Sequence, residues 1–210
     1  MEWIMKYFIC GIPAGMLIGI STTMYLMCPN KIVGAFLFSG GLLAICLLRL
    51  TLFTGAIGYV MVRPAPVLPG LVGNLVGMFG VALVIKYYDP NVYALSNQVL
   101  LDTIADGPIR TFVSAAFCGM LMFIAVHIFN VRDSVLGIVT AIPCFVICGF
   151  DHSIVIMFHW AMSSNLYEFA VGSMVVGVSL MGNTFGALLM YLLFDGFPKK
   201  KKEGKVRWVD

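Results

Sequence analysis

His152 and Asp151 stand side by side in the apolar run Cys148-Gly149-Phe150-Asp151-His152-Ser153-Ile154. An imidazole beside a carboxylate, with a glycine to bend the chain, can move a proton or hold a small ion. At membrane depth such groups are costly, so they mark a functional position. Leu52-Phe53-Thr54-Gly55 sets a hydroxyl and a second glycine into another apolar stretch. Histidine suits proton donation because its unperturbed pKa, about 6.5, lies close to physiological pH. A small anion of a weak acid is expensive to desolvate in a narrow apolar passage, whereas its conjugate acid is not. A proton donor at the constriction lowers that barrier.

Membrane depth follows from composition. Hydrophobic residues make up 60% of the 210 and charged residues 11%, too apolar a balance for a water-exposed surface. The first apolar segment, 7 to 28, is too long for the core of a secretory signal and has no small-residue cleavage site after it, which marks it as a retained span. Apolar segments near 5 to 28, 32 to 62, 67 to 88, 110 to 130, 135 to 162 and 168 to 196 predict six crossings, since about 20 residues cover the hydrocarbon core. The 89 to 110 stretch reads as an outside loop, with Asp89, Asp102 and Asp106 against Arg110.

The second and fifth segments are irregular. The second carries Arg49, Thr51, Thr54, Gly55 and Gly58 in its middle, and the fifth is split at Gly149 to Ser153. Both read as helices broken near mid-membrane, tolerated where the freed backbone faces protein or a cavity. Gly73-Asn74-Leu75-Val76-Gly77 recurs as Gly182-Asn183-Thr184-Phe185-Gly186. Three spans per half then predict an inverted repeat, about 1–90 and 108–197, within one channel domain covering 1–210, with a basic tail at 198–210. The glycine-asparagine runs either pack helices closely or line a pore.

Lys199 to Lys202, Lys205 and Arg207 place the C-terminus in the cytoplasm, and six crossings put the N-terminus there too. The net charge of +3 therefore concerns topology and anionic lipid, not nucleic acid. Arg63, before Pro64-Ala65-Pro66, reads as a cytoplasmic loop charge. The six cysteines are scattered through apolar segments and read as small buried residues, without a metal site. No cofactor is expected. His127 and His159 read as cross-helix hydrogen-bonding groups.

Leu52-Phe53-Thr54-Gly55, Gly149-Phe150-Asp151-His152-Ser153 and the two glycine-asparagine runs, in this order and spacing, resemble the formate/nitrite transporter family over nearly the whole chain. The resemblance implies an all-α, aquaporin-like membrane fold of six transmembrane helices. It also implies a homopentamer with one small-anion pore per protomer, in a prokaryotic cytoplasmic membrane. It places Thr54 and His152 at the pore centre and Phe38, Leu42 and Phe145, with Leu52 and Phe53, at apolar constrictions. Asp151, Gly55, Gly149, Ser153, Asn74 and Asn183 read as supporting the broken loops, and Arg49 reads equally as attracting anions into a vestibule or as pairing with a carboxylate between protomers or snorkelling. The family usually has a carboxylate at the position of Thr51, a small residue at that of Arg49, and often an asparagine in the fourth helix, where this chain has Met122 and Phe123.

Two other readings compete. A Ser39–His152 dyad would be protease chemistry, but it leaves the two inverted breaks unexplained. An aquaporin-like channel for a small neutral solute fits the topology, although Asp89-Pro90-Asn91 and Pro64-Ala65-Pro66 do not supply paired Asn-Pro-Ala motifs.

Overall fold

The structure, a computed structural model, describes residues 2–61 and 67–194. Arg63, the Pro64-Ala65-Pro66 loop and the basic tail lie outside the described residues. The elements are α1 (Glu2–Met27), α2 (Lys31–Leu47), α3 (Phe53–Ala56) running into a 3-10 turn (Ile57–Tyr59), α4 (Val67–Tyr88), α5 (Pro90–Arg132), α6 (Leu136–Cys148), α7 (Ser153–Ala161) and α8 (Leu166–Phe194).

Among the described residues, α1, α4, α5 and α8 are each long and apolar enough to cross a membrane, and α6 with α7, bent by 50°, forms a further broken span. At 1.5 Å per residue, the 17 residues of α2 reach about 26 Å, short of a hydrocarbon core of about 30 Å. The chain after α2 then turns back into the protein and starts α3. Large apolar side chains such as Leu68, Val84, Ile109 and Leu166 are exposed, as lipid or a neighbouring subunit requires rather than water.

The two halves pack alike. α1 lies along α4 in the first half and α5 along α8 in the second, the two most extensive helix pairs in the protein. Both contacts depend on glycine: a Cβ at Gly15 would overlap the Asn74 carbonyl, and one at Gly119 the Asn183 carbonyl. Backbones can approach this closely only where one side lacks a side chain. α2 and α6 pack against each other between these pairs.

The 89 to 110 stretch is helical rather than a loop. Asp89 caps it by accepting from Asn91 N–H (2.9 Å) and Val92 N–H (3.2 Å), with Pro90 in the first helical turn, a strong start signal. Val92, Ser96, Leu100 and Thr103 form its buried face. Gly107, at φ 79° and ψ 169°, followed by Pro108, bends the chain into the spanning part of α5. This first stretch is fastened to the α7–α8 turn. The buried Glu168 carboxylate accepts from Asn97 Nδ2 (2.8 Å), Ser164 N–H (2.8 Å), Ser164 Oγ (2.7 Å) and Asn165 Nδ2 (2.8 Å).

Candidate functional site

The site is built where α2 and α6 stop. Leu50 N–H donates to Ile45 C=O and Phe150 N–H to Phe145 C=O, each at 3.0 Å, while Arg49 N–H reaches Cys46 C=O (3.3 Å) and Gly149 N–H reaches Val146 C=O (3.2 Å). This is the same helix-ending motif twice, and it needs a left-handed residue. Gly149 (φ 70°) supplies it without strain, whereas Arg49 adopts φ 53°, at a cost of about 1–2 kcal/mol for a residue with a Cβ.

Two asparagines then catch the returning chains. Asn74 Nδ2 donates to Gly11 C=O (2.9 Å) and Thr51 C=O (2.8 Å), and its Oδ1 accepts from Phe53 N–H (2.9 Å). Asn183 Nδ2 donates to Ala115 C=O (2.7 Å) and Asp151 C=O (2.9 Å), and its Oδ1 accepts from Ser153 N–H (2.8 Å). Both side chains are buried, and the donors and acceptor of each are spent on bracing the breaks. Thr51 N–H adds a bond to Cys10 C=O (3.3 Å), and Asp151 N–H one to Ser114 Oγ (3.0 Å). The backbone N–H and C=O of Asp151 both help to tie its loop down.

With the loops held, the N-terminal ends of α3 and α7 meet. Thr54 Oγ1 lies 2.9 Å from His152 Nε2, and both residues are buried. His152 also caps α7, its Nδ1 accepting from Val155 N–H at 3.4 Å. A neutral imidazole that accepts at Nδ1 carries its proton on Nε2. Nε2 then donates to Thr54 Oγ1, and the threonine keeps its own O–H to offer elsewhere.

The Phe145 ring stacks on His152 at 5.8 Å and 11°, and Phe38 meets Phe145 edge-on at 6.1 Å and 86°. Phe38, Leu42, Leu52, Phe53 and Phe145 are all buried, so the polar pair is enclosed by hydrocarbon. Leu42 and Leu52 also form part of the wall of a cavity of about 130 Å³, whose polar lining includes Tyr7, Arg49, Thr51, Tyr59 and Asn130. At about 30 Å³ per water it has room for roughly four waters, or for a small hydrated anion. Gly55 lies on the same wall, and Arg49 is exposed beside it.

Sequence reasoning did not single out Tyr7, Tyr59, Asn130 or Ser114. Tyr59 and Asn130 are polar groups inside apolar stretches, which was the available signal. His127 Nδ1 contacts Tyr59 OH (3.1 Å) and His159 Nδ1 contacts Ser96 Oγ (2.7 Å), both cross-helix bonds of the kind expected.

The family model described as formate/nitrite transporter matches residues 2–196. The chain belongs to the formate/nitrite transporter family. It is therefore a multi-pass membrane protein of a transport family and not an enzyme. Comparison with curated proteins finds no match. Solved structures share the fold, among them two channels. One, described as a pentameric formate channel with formate bound, is 20% identical with TM-score 0.69, covering 93% of this chain and 95% of its own. The other, an FNT family ion channel, is 21% identical with TM-score 0.75, covering 94% and 90%.

Within a formate/nitrite transporter, the departures noted in the sequence have a local explanation. Asn74 holds position 51 through its carbonyl, which any residue there provides, so a threonine can replace a carboxylate without loosening the loop. Met122 and Phe123 are buried in α5, and the amide of Asn130 lies two turns further along, on the cavity wall.

Proposed function

We propose that this formate/nitrite transporter family member carries small monovalent anions of weak acids, such as formate, nitrite, hydrosulfide or a short carboxylate, along a path through the Thr54–His152 contact. The observation that carries this reading is the buried hydroxyl–imidazole pair at 2.9 Å, enclosed by apolar side chains, with a cavity nearby whose mostly apolar wall includes Leu42, Leu52 and Arg49. An anion gathers in the cavity near Arg49, the one charged side chain in its lining among the described residues. It must then pass Leu42, Leu52 and Phe53, where desolvating a charge is expensive. His152 lowers that barrier by donating a proton to the anion or by meeting it as an imidazolium, while Thr54 orients it. The neutral acid then passes Phe38 and Phe145.

The pentameric assembly of a structural relative supports a homopentamer with one path per protomer. Two inverted repeats at about 1–90 and 108–197 fit the matched bracing of the two breaks. A prokaryotic cytoplasmic membrane with both termini cytoplasmic fits the basic tail.

The test is anion-driven swelling or current in proteoliposomes with formate, nitrite, hydrosulfide and acetate, at mildly acidic and at neutral pH, for wild type and His152→Ala. Flux that depends on pH in the wild type and changes in the variant supports the reading. Absence of anion flux alongside passage of neutral osmolytes refutes it in favour of a neutral-solute channel.

A further inference from the structure

Each half-helix has one end at the Thr54–His152 contact, and the far ends are fastened in a matching way. α3 has four residues and its 3-10 turn three, while α7 has nine, so tertiary contacts must fix where such short helices lie. Beyond Thr54, the 3-10 turn ends at Tyr59, whose OH lies 3.1 Å from His127 Nδ1. Beyond His152, α7 carries His159, whose Nδ1 lies 2.7 Å from Ser96 Oγ. The two breaks correspond residue for residue, Arg49 with Gly149 and Phe53 with Ser153, through their matched bonds. The same register sets Tyr59 against His159. The partners of both, His127 and Ser96, belong to α5.

α5 is therefore one frame with a fastening toward either end. Ser96 and His127 lie on opposite sides of the bend at Gly107. That bend is braced within α5, because Arg110 Nη1 donates to Asp106 Oδ1 (2.5 Å) and Thr111 Oγ1 to Gly107 C=O (3.0 Å). Asn97, next to Ser96, ties the same stretch to the end of α7 by donating from Nδ2 to Met162 C=O (3.3 Å). Phe123 of α5 adds ring contacts to Tyr59 and to His127, each at 5.2 Å. Ser96, Tyr59 and His159 are buried, where a hydrogen bond is electrostatically strong and directional. It fixes a separation that apolar contact alone leaves loose.

We propose that Ser96 and His127 are positioning residues: from α5 they hold the far ends of α7 and α3, and so keep His152 Nε2 and Thr54 Oγ1 at 2.9 Å. α5 contributes no side chain to that contact, yet it answers for both of its members. A short helix is stiff along its axis, so freedom at the fastened end is passed to the residue at the other. The contact has little tolerance, since a hydrogen bond weakens steeply as its geometry departs from the optimum, and a misplacement of about 1 Å at a working site costs about a hundredfold in rate. The consequence for flux rests on the anion-pathway reading, whereas the consequence for the geometry of the pair does not.

The experiment is nitrogen-15 NMR of the imidazoles in the purified, detergent-solubilised protein, labelled at its three histidines, with His152 assigned by the loss of its signals in His152→Gln. The variants are Ser96→Ala, Tyr59→Phe and, as a control on the exposed side of the same stretch of α5, Gln98→Ala, which loses a bond to Asp102. Formate and nitrite flux is measured for each in proteoliposomes. Ser96→Ala and Tyr59→Phe should each shift the His152 Nε2 resonance and cut flux about tenfold, the size of one buried hydrogen bond, and Gln98→Ala should change neither. Tyr59→Phe keeps its ring packed, so it decides the matter if Ser96→Ala does not fold. An unmoved His152 signal in either folded variant overturns the proposal whatever the flux does, as does an equal shift in Gln98→Ala. Shifted signals with undiminished flux uphold the positioning and count against a path through Thr54 and His152. Absence of flux in the wild type defeats the pathway reading, and the resonances still decide the positioning.

Discussion

Thr54 and His152 stand 98 residues apart in the chain and 2.9 Å apart in space, each at the start of a half-helix that begins inside the protein. Neither end would hold that position alone. Each is reached by a chain that has left one helix, turned through a left-handed residue and been caught by an asparagine.

Replacing Thr54 with valine keeps the shape and removes the hydroxyl. His152 Nε2 then loses its acceptor, and formate or nitrite flux should fall about tenfold, the size of one buried hydrogen bond with its orphaned partner. Thr54→Ser should restore most of the rate. Initial rates in proteoliposomes check both, and full activity in the valine variant would remove Thr54 from the path.

Asn74 and Asn183 should be equally important to stability. Either asparagine changed to alanine strands two carbonyls and one N–H in an apolar interior, a loss of roughly 3 kcal/mol or more. Thermal unfolding in detergent should show a large drop for each variant. A small drop for one of the pair would mean that the two breaks are not braced alike.

Arg49 separates conformation from charge. Arg49→Gly relieves the left-handed strain and should stabilise the protein by about 1 kcal/mol, while slowing anion entry at low ionic strength. Arg49→Lys keeps the charge and the strain, so it should preserve flux without raising Tm. The flux difference between wild type and the glycine variant should shrink as salt is raised. Salt-independent loss would point to a role other than attraction.

The pH dependence has a definite sign. Lower pH raises both the protonated fraction of the weak acid and that of any titrating imidazole on the path, so wild-type flux should rise from neutral to mildly acidic pH. His152→Phe removes the imidazole and should flatten or shift that profile. An unchanged profile at unchanged rate would end the proton-donation idea.

Much of this was legible in the sequence. Membrane residence followed from composition, and the family from Leu52 to Gly55, Gly149 to Ser153 and the two glycine-asparagine runs. Both breaks were located from polar and glycine residues set in apolar stretches. The helical nature of Pro90 to Asp106 was missed because Asp89, Asp102 and Asp106 suggested a loop, although Asp89-Pro90 was a recognisable start. Whether the glycine-asparagine runs packed helices or lined a pore was undecidable in one dimension. The structure divides the labour, with the glycines admitting the neighbouring backbone and the asparagines bracing the breaks.

What the sequence determined by itself is where the chain must lie in lipid and where its helices cannot continue, because hydropathy and backbone breaking are local properties. What the tertiary structure alone decided is which polar atoms answer one another: Thr54 with His152, Asn74 with Thr51 and Phe53, and Asn183 with Asp151 and Ser153. Those pairings join segments distant in the chain, and only packing brings them within the 3 Å over which a hydrogen bond acts.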